Sequence, residues 1–256
     1  MQSFIDSDFF SVLYPFVLIL TVIIGYYTAE IFYNRKNKQW HPSGVESAVI
    51  GFFALIIAFT FSSSNSEFRN RINHIHEESD LIAQTYRTSL QLDSPTKDET
   101  IKYLSAFIDA HLAFNHYKSS EEGLVNTVNN INESFQNYLA QQKDSASQKQ
   151  DAYKKLLQNY DQLNSVFYRN AYSFKERTPL TIMLLLIVSS WMIGVLVGFM
   201  SAFYLSRHFL VPAIFILLVT FTMHTIRDLD NPRKGSIKPS FENLETLKLT
   251  INKILK

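Results

Sequence analysis

Apolar residues gather in four long runs, about 9–33, 44–64, 180–205 and 209–226, and a polar stretch, 66–177, separates the second from the third. An apolar helix of about 20 residues crosses a hydrocarbon core of about 30 Å, so each run has the length of a membrane span. The linker between the first two carries Arg35, Lys36, Lys38 and Trp40, and Ser206-Arg207-His208 forms a tight turn between the last two. Such short connections predict two antiparallel hairpins. The first run, Phe9 to Tyr33, follows a segment with Asp6 and Asp8, with no basic leader and no clean cleavage site, so it reads as a retained span rather than a signal segment. Glu30 near its far end either reaches the interface or lines a polar cavity.

The second run organises the chain. Ser43 and Glu46 stand in capping-box spacing after Pro42 and open it. Ser47, Gly51, Ala54, Ala58, Ser62 and Asn65 recur at spacings of three and four, so they share one helical face. Phe52, Phe53, Ile56, Phe59 and Phe61 lie on the other sides. A small, increasingly polar stripe on a spanning helix either packs against another helix or borders water. Close packing is the commoner use of small residues in lipid, and the polar run Ser62-Ser63-Ser64-Asn65-Ser66-Glu67 at the exit adds weight to water.

Within 66–177 the apolar positions keep a period near 3.6. Phe68, Ile72, Ile75, Ile82, Tyr86 and Leu90 continue from the second run without a breaker, which predicts one long helix. Asp93-Ser94-Pro95 ends it, and Pro95 sits where the next helix begins. Ile101, Leu104, Ile108 and Leu112 form the buried face there. A helix rich in Asn and Gln follows at about Leu124 to Gln142, then one from about Ser145 to Phe174 with Tyr153, Leu157, Tyr160, Leu163, Phe167, Ala171 and Phe174 on one side. Thr178 is the expected cap of the third span, with Pro179 at its first position. Within that span Ser190, Gly194, Gly198 and Ala202, spaced by four, form a ridge for close helix contact. After the fourth span Ser240 opens an amphipathic helix with Leu244, Leu247, Ile251 and Ile254 on one face and Lys248, Lys253 and Lys256 elsewhere. It docks on protein or on a membrane surface.

The pattern therefore predicts an all-α, polytopic membrane protein: a transmembrane hairpin (1–65), a helical extramembrane domain (66–177), a second hairpin (178–227) and a tail (228–256). Seven glycines, seven prolines and no strand-like alternation agree. With 21 Phe and 13 Tyr the chain suits membrane cores and interface belts. A net charge of +1 gives no concentrated basic surface for nucleic acid. The absence of cysteine excludes disulfides and thiolate metal sites. Basic residues behind the first span put the short loops in the cytoplasm by the positive-inside rule, yet Arg69, Arg71, Lys175, Arg177, Arg227, Arg233 and Lys234 border membrane ends on the opposite side, which leaves sidedness open.

No catalytic signature is present, so neither an enzyme nor a cofactor is expected. His74 and His76 point in nearly opposite directions on a helix, and His111 and His116 are poorly spaced for shared chelation. His224, beside threonines near a membrane end, reads as a structural histidine or a pH-responsive pore residue. Asp228 and Asp230 either ring a pore mouth or shape the turn before Pro232 and pair with Arg227, Arg69 or Arg71. Glu67 carries the same two readings.

Two groups of residues resemble a known family. The first is G-x-x-A-L-x-x-A-F-x-F-S at Gly51 to Ser62, followed by Phe68, Arg69, Arg71 and Glu77-Glu78; the second is D-L-D-x-P-x-x-G at Asp228 to Gly235. Together with the order of spans they are similar to a bacterial and plant family of bestrophin-like membrane proteins of unknown function, over nearly the whole chain. That family in turn resembles, by architecture, the bestrophins, which are pentameric ion channels with a neck lined by the second span and a cytosolic vestibule. No bestrophin pore motif carries over residue by residue. The resemblance implies a homo-oligomer in a cell membrane with its bundle in the cytoplasm, and lipid and small inorganic ions as its partners. In a pore reading of the second span, Phe52, Ile56 and Thr60 form one face and Phe53, Ile57 and Phe61 another, either of which could be the apolar constriction, with Gly51 a further lining candidate and Ser62, Ser63, Asn65 and Glu67 at the mouth. Carboxylates favour cations, whereas the bestrophin likeness favours anions. The other function the pattern allows is a non-conducting scaffold or sensor whose helical domain binds a partner.

Overall fold

The structure, a computed structural model, describes residues 2–32, 43–116, 118–142, 150–203, 209–231 and 235–253. Tyr33, Arg35, Lys36, Lys38, Trp40, Pro42, Ser145, Leu205, Ser206, Arg207, His208, Pro232, Arg233, Lys234, Ile254 and Lys256 lie outside them. Among the described residues the elements are helices alone: α1 (Gln2–Ile5), α2 (Asp8–Phe32), α3 (Val45–Ser89), α4 (Ser94–Asn115), α5 (Glu121–Gln142), α6 (Gln150–Ser173), α7 (Leu180–Ser201), α8 (Leu210–Asp230) and α9 (Glu242–Asn252). Four of them, α2, α3, α7 and α8, are long and apolar enough to cross a membrane.

The helix α3 is unbroken over 45 residues, about 68 Å at 1.5 Å per residue, so it outruns any bilayer. At its start Glu46 reaches back to accept from the Ser43 backbone N–H at 3.1 Å, while the Ser43 hydroxyl turns to the same carboxylate. Gly44, at φ 83°, makes the left-handed step into the helix. The chain divides into two compact units, Met1–Phe68 with Arg177–Lys238, and Arg69–Glu176 with Pro239–Lys256.

In the first unit α2 and α7 run parallel. Tyr14, Thr21 and Val22 meet Ser190, Gly194 and Gly198 in the same order along both helices. The expected small-residue ridge of α7 makes this contact, and Gly25 answers it from α2. A Cβ on Gly198 would lie 1.9 Å from the Val22 carbonyl oxygen, and one on Gly25 would lie 2.0 Å from that of Val195. Backbone thus lies against backbone, as small residues permit in lipid. The Tyr14 hydroxyl donates to Ser190 at 2.8 Å inside this interface.

Thr178 does not cap α7. Pro179 is the N-cap, and the Thr178 backbone N–H instead donates to Asp230 at 2.6 Å. The sequence places the end of the fourth span at Ile226, but α8 continues to Asp230, because Asp228 and Asp230 find donors that offset their unfavourable place at a helix C-terminus. A short α1 also forms where polarity alone suggested none. Ile5 is buried and the neighbouring Asp6 pairs with Arg177.

The second unit is built around Leu104, Phe107, Ile108, Val128, Leu156, Leu163 and Phe167. The Asn-rich α5 is held by a stack of Phe135 on Tyr103, with ring centroids 4.3 Å apart, and by the Tyr103 hydroxyl on Asn132 at 2.9 Å. Leu90 departs from its predicted stripe. It falls just beyond the end of α3 and is exposed, and Leu92 fills the core instead. The tail helix α9 docks on protein: Leu244 and Ile251 are fully buried, and Lys248 pairs with Asp109 of α4 at 2.5 Å.

Candidate functional site

The membrane part of α3 packs on its own unit along one narrow line. Ile50, Phe53, Ile57, Thr60, Ser64 and Phe68 recur at three and four, and they are the positions turned inward. Phe53 is 5% exposed and Thr60 is 4% exposed, with the Thr60 hydroxyl returned to the Ile56 carbonyl at 2.9 Å. Ser64 meets Thr178 through their hydroxyls at 3.4 Å.

Apart from the half-buried Glu46, Ile56 and Asn65, the rest of this span is open to the outside of the chain. Phe52 is 65% and Phe59 76% exposed, and Leu55 is exposed with them. The small stripe Ser47, Gly51, Ala54, Ala58 and Ser62 is exposed throughout, and Asn65 is half-buried. A Cβ on Gly51 would meet nothing within 4 Å. No helix of the same unit covers the stripe among the described residues. Between α3 and α8 an apolar groove of about 510 Å³ is lined by Ala54, Ile57, Ala58 and Phe61 on one side and Phe215, Leu218 and Thr222 on the other.

The candidate constriction residues therefore divide. Of Phe52, Ile56 and Thr60, the first is exposed, the second half-buried and the third buried. Of Phe53, Ile57 and Phe61, the sequence runs from buried through half-buried to exposed. At the exit Ser62, Ser63 and Glu67 are exposed.

Asp228 and Asp230 both hold backbone amides. Asp230 is buried and accepts from Thr178, which fixes the entry to α7. Asp228 accepts from the Ser236 backbone N–H at 2.9 Å and lies 3.7 Å from the Arg227 guanidinium. A Cβ on Gly235 would come within 2.9 Å of Asp228, so the glycine of the D-L-D-x-P-x-x-G pattern lets the chain turn back against α8. Replacing Asp230 by alanine removes a helix-start acceptor and is expected to cost about 1 kcal/mol, read as a lower unfolding midpoint in detergent. Asp230→Asn, which keeps an acceptor oxygen, should recover most of it.

The sequence reading missed two buried polar sites in the second unit. Arg71, counted there as a membrane-edge charge, is 1% exposed, and its guanidinium donates to the carbonyls of Ser173 at 2.8 Å and Glu176 at 2.6 Å. Glu78 and His111 face one another with their nearest atoms 3.4 Å apart. The available signal was position: 71, 75, 78 and 82 share one face of α3, and 104, 108 and 111 share one face of α4. Among the described residues no group of three or more His, Cys, Asp or Glu is placed to hold a metal ion.

A polytopic membrane protein with two apolar helix pairs around a long helical insertion is one class of fold, and the comparisons place it further. A family model described as Bestrophin-like domain matches residues 42–240, so the chain belongs to the bestrophin-like family. Crystal structures of variants of a bacterial bestrophin homologue from Klebsiella pneumoniae have the same fold. One matches with a TM-score of 0.70 and 16% identity over 94% of this chain and 99% of that one. Another matches with a TM-score of 0.70 and 17% identity over 95% and 96%. Comparison with curated proteins finds no match.

Proposed function

We propose that the protein is an ion channel: a homo-oligomer in the cell membrane whose copies place α3 around a shared pore. The observation that supports this reading is the uncovered face of α3. A spanning helix that leaves a small, polar-ended stripe outside its own chain needs a second copy or water against it, and a ring of copies supplies both. Family membership adds the bestrophin likeness, which implies five copies. In this reading Phe53 and Thr60 anchor α3 to its own subunit, while Gly51, Phe52, Ile56, Ile57 and Phe61 flank the constriction. Ser62, Ser63, Asn65 and Glu67 form the mouth. Asp228 and Asp230 fix the junction of α7 and α8.

The test is current through planar bilayers holding purified protein in a tenfold gradient of potassium chloride. A current reversing away from zero, up to about 59 mV for a perfectly selective pore, supports the channel and gives the ion sign. Phe52→Ala is expected to raise the current if the constriction is apolar, and Glu67→Gln to move the reversal potential towards the anion side. A silent bilayer with folded, oligomeric wild-type protein and an equally silent Phe52→Ala would leave a scaffold instead.

With the bestrophin likeness as support, this reading also has the second unit in the cytoplasm. Because the chain has no cysteine, one introduced thiol reports alone. Gln136→Cys, at an exposed position on α5, should resist a membrane-impermeant maleimide in intact cells and react after lysis. Labelling of intact cells would reverse the topology.

A further inference from the structure

Glu78 is a carboxylate inside the apolar stripe of α3, and His111 is an imidazole inside that of α4. Both are sealed from solvent, at 0% and 2% exposure. One Glu78 oxygen accepts from the Asn170 side-chain amide of α6 at 2.7 Å, and the other lies 3.4 Å from His111 Nε2. His111 Nδ1 lies 3.0 Å from the Phe107 carbonyl oxygen. A carbonyl only accepts, so Nδ1 carries a hydrogen. A neutral ring would then turn the lone pair of Nε2 on a carboxylate oxygen, two acceptors face to face without water, which a dry interior does not tolerate. A second proton must lie between them. The rings of Phe107 and Phe167, with centroids 4.7 and 5.5 Å from that of His111, wall the pair in.

We propose that Glu78 and His111 hold one shared proton as a pH-sensitive latch that ties α3 to α4 and α6, and that rising pH releases it. Electrostatics agree with the geometry. Burial pushes the His111 ring towards its neutral form, but the Glu78 charge, its bond to the ring and the Phe107 carbonyl together outweigh burial, and the net pKa lies above the ordinary 6.5. A histidine raised in the folded state stabilises fully below its unfolded pKa, near 6.5, and loses that contribution as pH climbs through its folded pKa. The latch is therefore closed below about pH 6.5 and opens as pH climbs above it through the raised pKa.

The neighbouring groups do not replace it. Arg71, two turns earlier on α3, spends its guanidinium on the carbonyls of Ser173 and Glu176. Tyr103 on α4 is pushed by burial, and further by Tyr160, Tyr168 and Glu78, well above its ordinary range, so it stays neutral. From α6 the partner is the neutral Asn170. From α9, Glu245 and Lys248 bind His116 and Asp109 at the surface.

Glu78→Gln tests this on the full chain. Its amide can accept from Asn170 and donate to a neutral His111 Nε2, so the network persists without the shared proton. Thermal unfolding midpoints in detergent are compared from pH 6 to 9. The wild type is expected to lose on the order of a few degrees across that range, and Glu78→Gln markedly less. A second readout is taken on the wild-type protein itself. In protein labelled with ¹⁵N-histidine, the His111 ring, assigned by its absence in His111→Gln, should stay doubly protonated at pH 6.5, where a free histidine is half-deprotonated, and lose a proton above it. Equal pH slopes for the two proteins, or a His111 ring already neutral at pH 6.5, would overturn the proposal.

Discussion

Gly198→Ala is expected to lower the unfolding midpoint of the membrane unit by about 6–12 °C, the equivalent of about 3 kcal/mol at 2–4 °C per kcal/mol for a chain of this size. The added methyl would sit 1.9 Å from the Val22 oxygen and 2.7 Å from the Val22 carbonyl carbon. Both are backbone atoms inside a helix, so no side chain can rotate away. The helices must separate, and separation unpicks the Tyr14–Ser190 hydrogen bond in the same interface. Overpacking of a core usually costs about 1–3 kcal/mol, and a clash with backbone belongs at the upper end of that range. Gly25→Ala should behave alike, because its Cβ would meet the Val195 oxygen from the other side. Gly51→Ala is the control. Its Cβ would enter open space, so the fold of one chain is indifferent to it and any effect reports contact between copies. Circular dichroism melts of the three variants in one detergent decide the matter. A wild-type midpoint for Gly198→Ala would mean that α2 and α7 do not pack as described.

These glycines show what the sequence makes legible. The four-residue spacing of Ser190, Gly194 and Gly198 announced a close contact because only small residues permit one in lipid, where burial of apolar surface gives no gradient. A stripe of small residues on α3, at Gly51, Ala54 and Ala58 with spacings of three and four, looks much alike in sequence but stays uncovered by its own chain. Periodicity reports that a face is small; it does not name the partner. The long helix was legible because no breaker falls between Gly44 and Leu90, and its end was set by Asp93-Ser94-Pro95. The extension of α8 was not, since Asp-Leu-Asp-Asn-Pro reads as a turn until Thr178, distant in sequence, and Ser236, where the chain turns back, supply their amides. Glu78 and His111 were hidden for the same reason. Each breaks its own apolar stripe, and only the fold shows that the two exceptions face each other.

Arg71→Ala is expected to be the most damaging single change in the second unit, at about 3–5 kcal/mol. Arginine there is 1% exposed and acts as a clamp on the end of α6, where the carbonyls of Ser173 and Glu176 lack helical donors beyond them. A cation at a helix C-terminus also meets the negative end of the helix dipole. Alanine removes these charge-assisted hydrogen bonds, each worth about 1.5–3 kcal/mol, and strands the carbonyl of the buried Ser173, whereas that of the exposed Glu176 turns to water. It also opens a void where the aliphatic stem lay. Arg71→Lys separates charge from shape. Lysine keeps the cation, but its ammonium is a point donor without the planar fork that spans two carbonyls, so it should recover less than half of the loss. Chemical unfolding gives the total. Hydrogen exchange locates it: the amides of Lys175 and Glu176, both bonded to the Tyr172 carbonyl, should exchange faster in Arg71→Ala than in Arg71→Lys, and slowest in the wild type. If Arg71→Ala unfolded within about 0.5 kcal/mol of the wild type, the position would be an ordinary surface site and not a clamp.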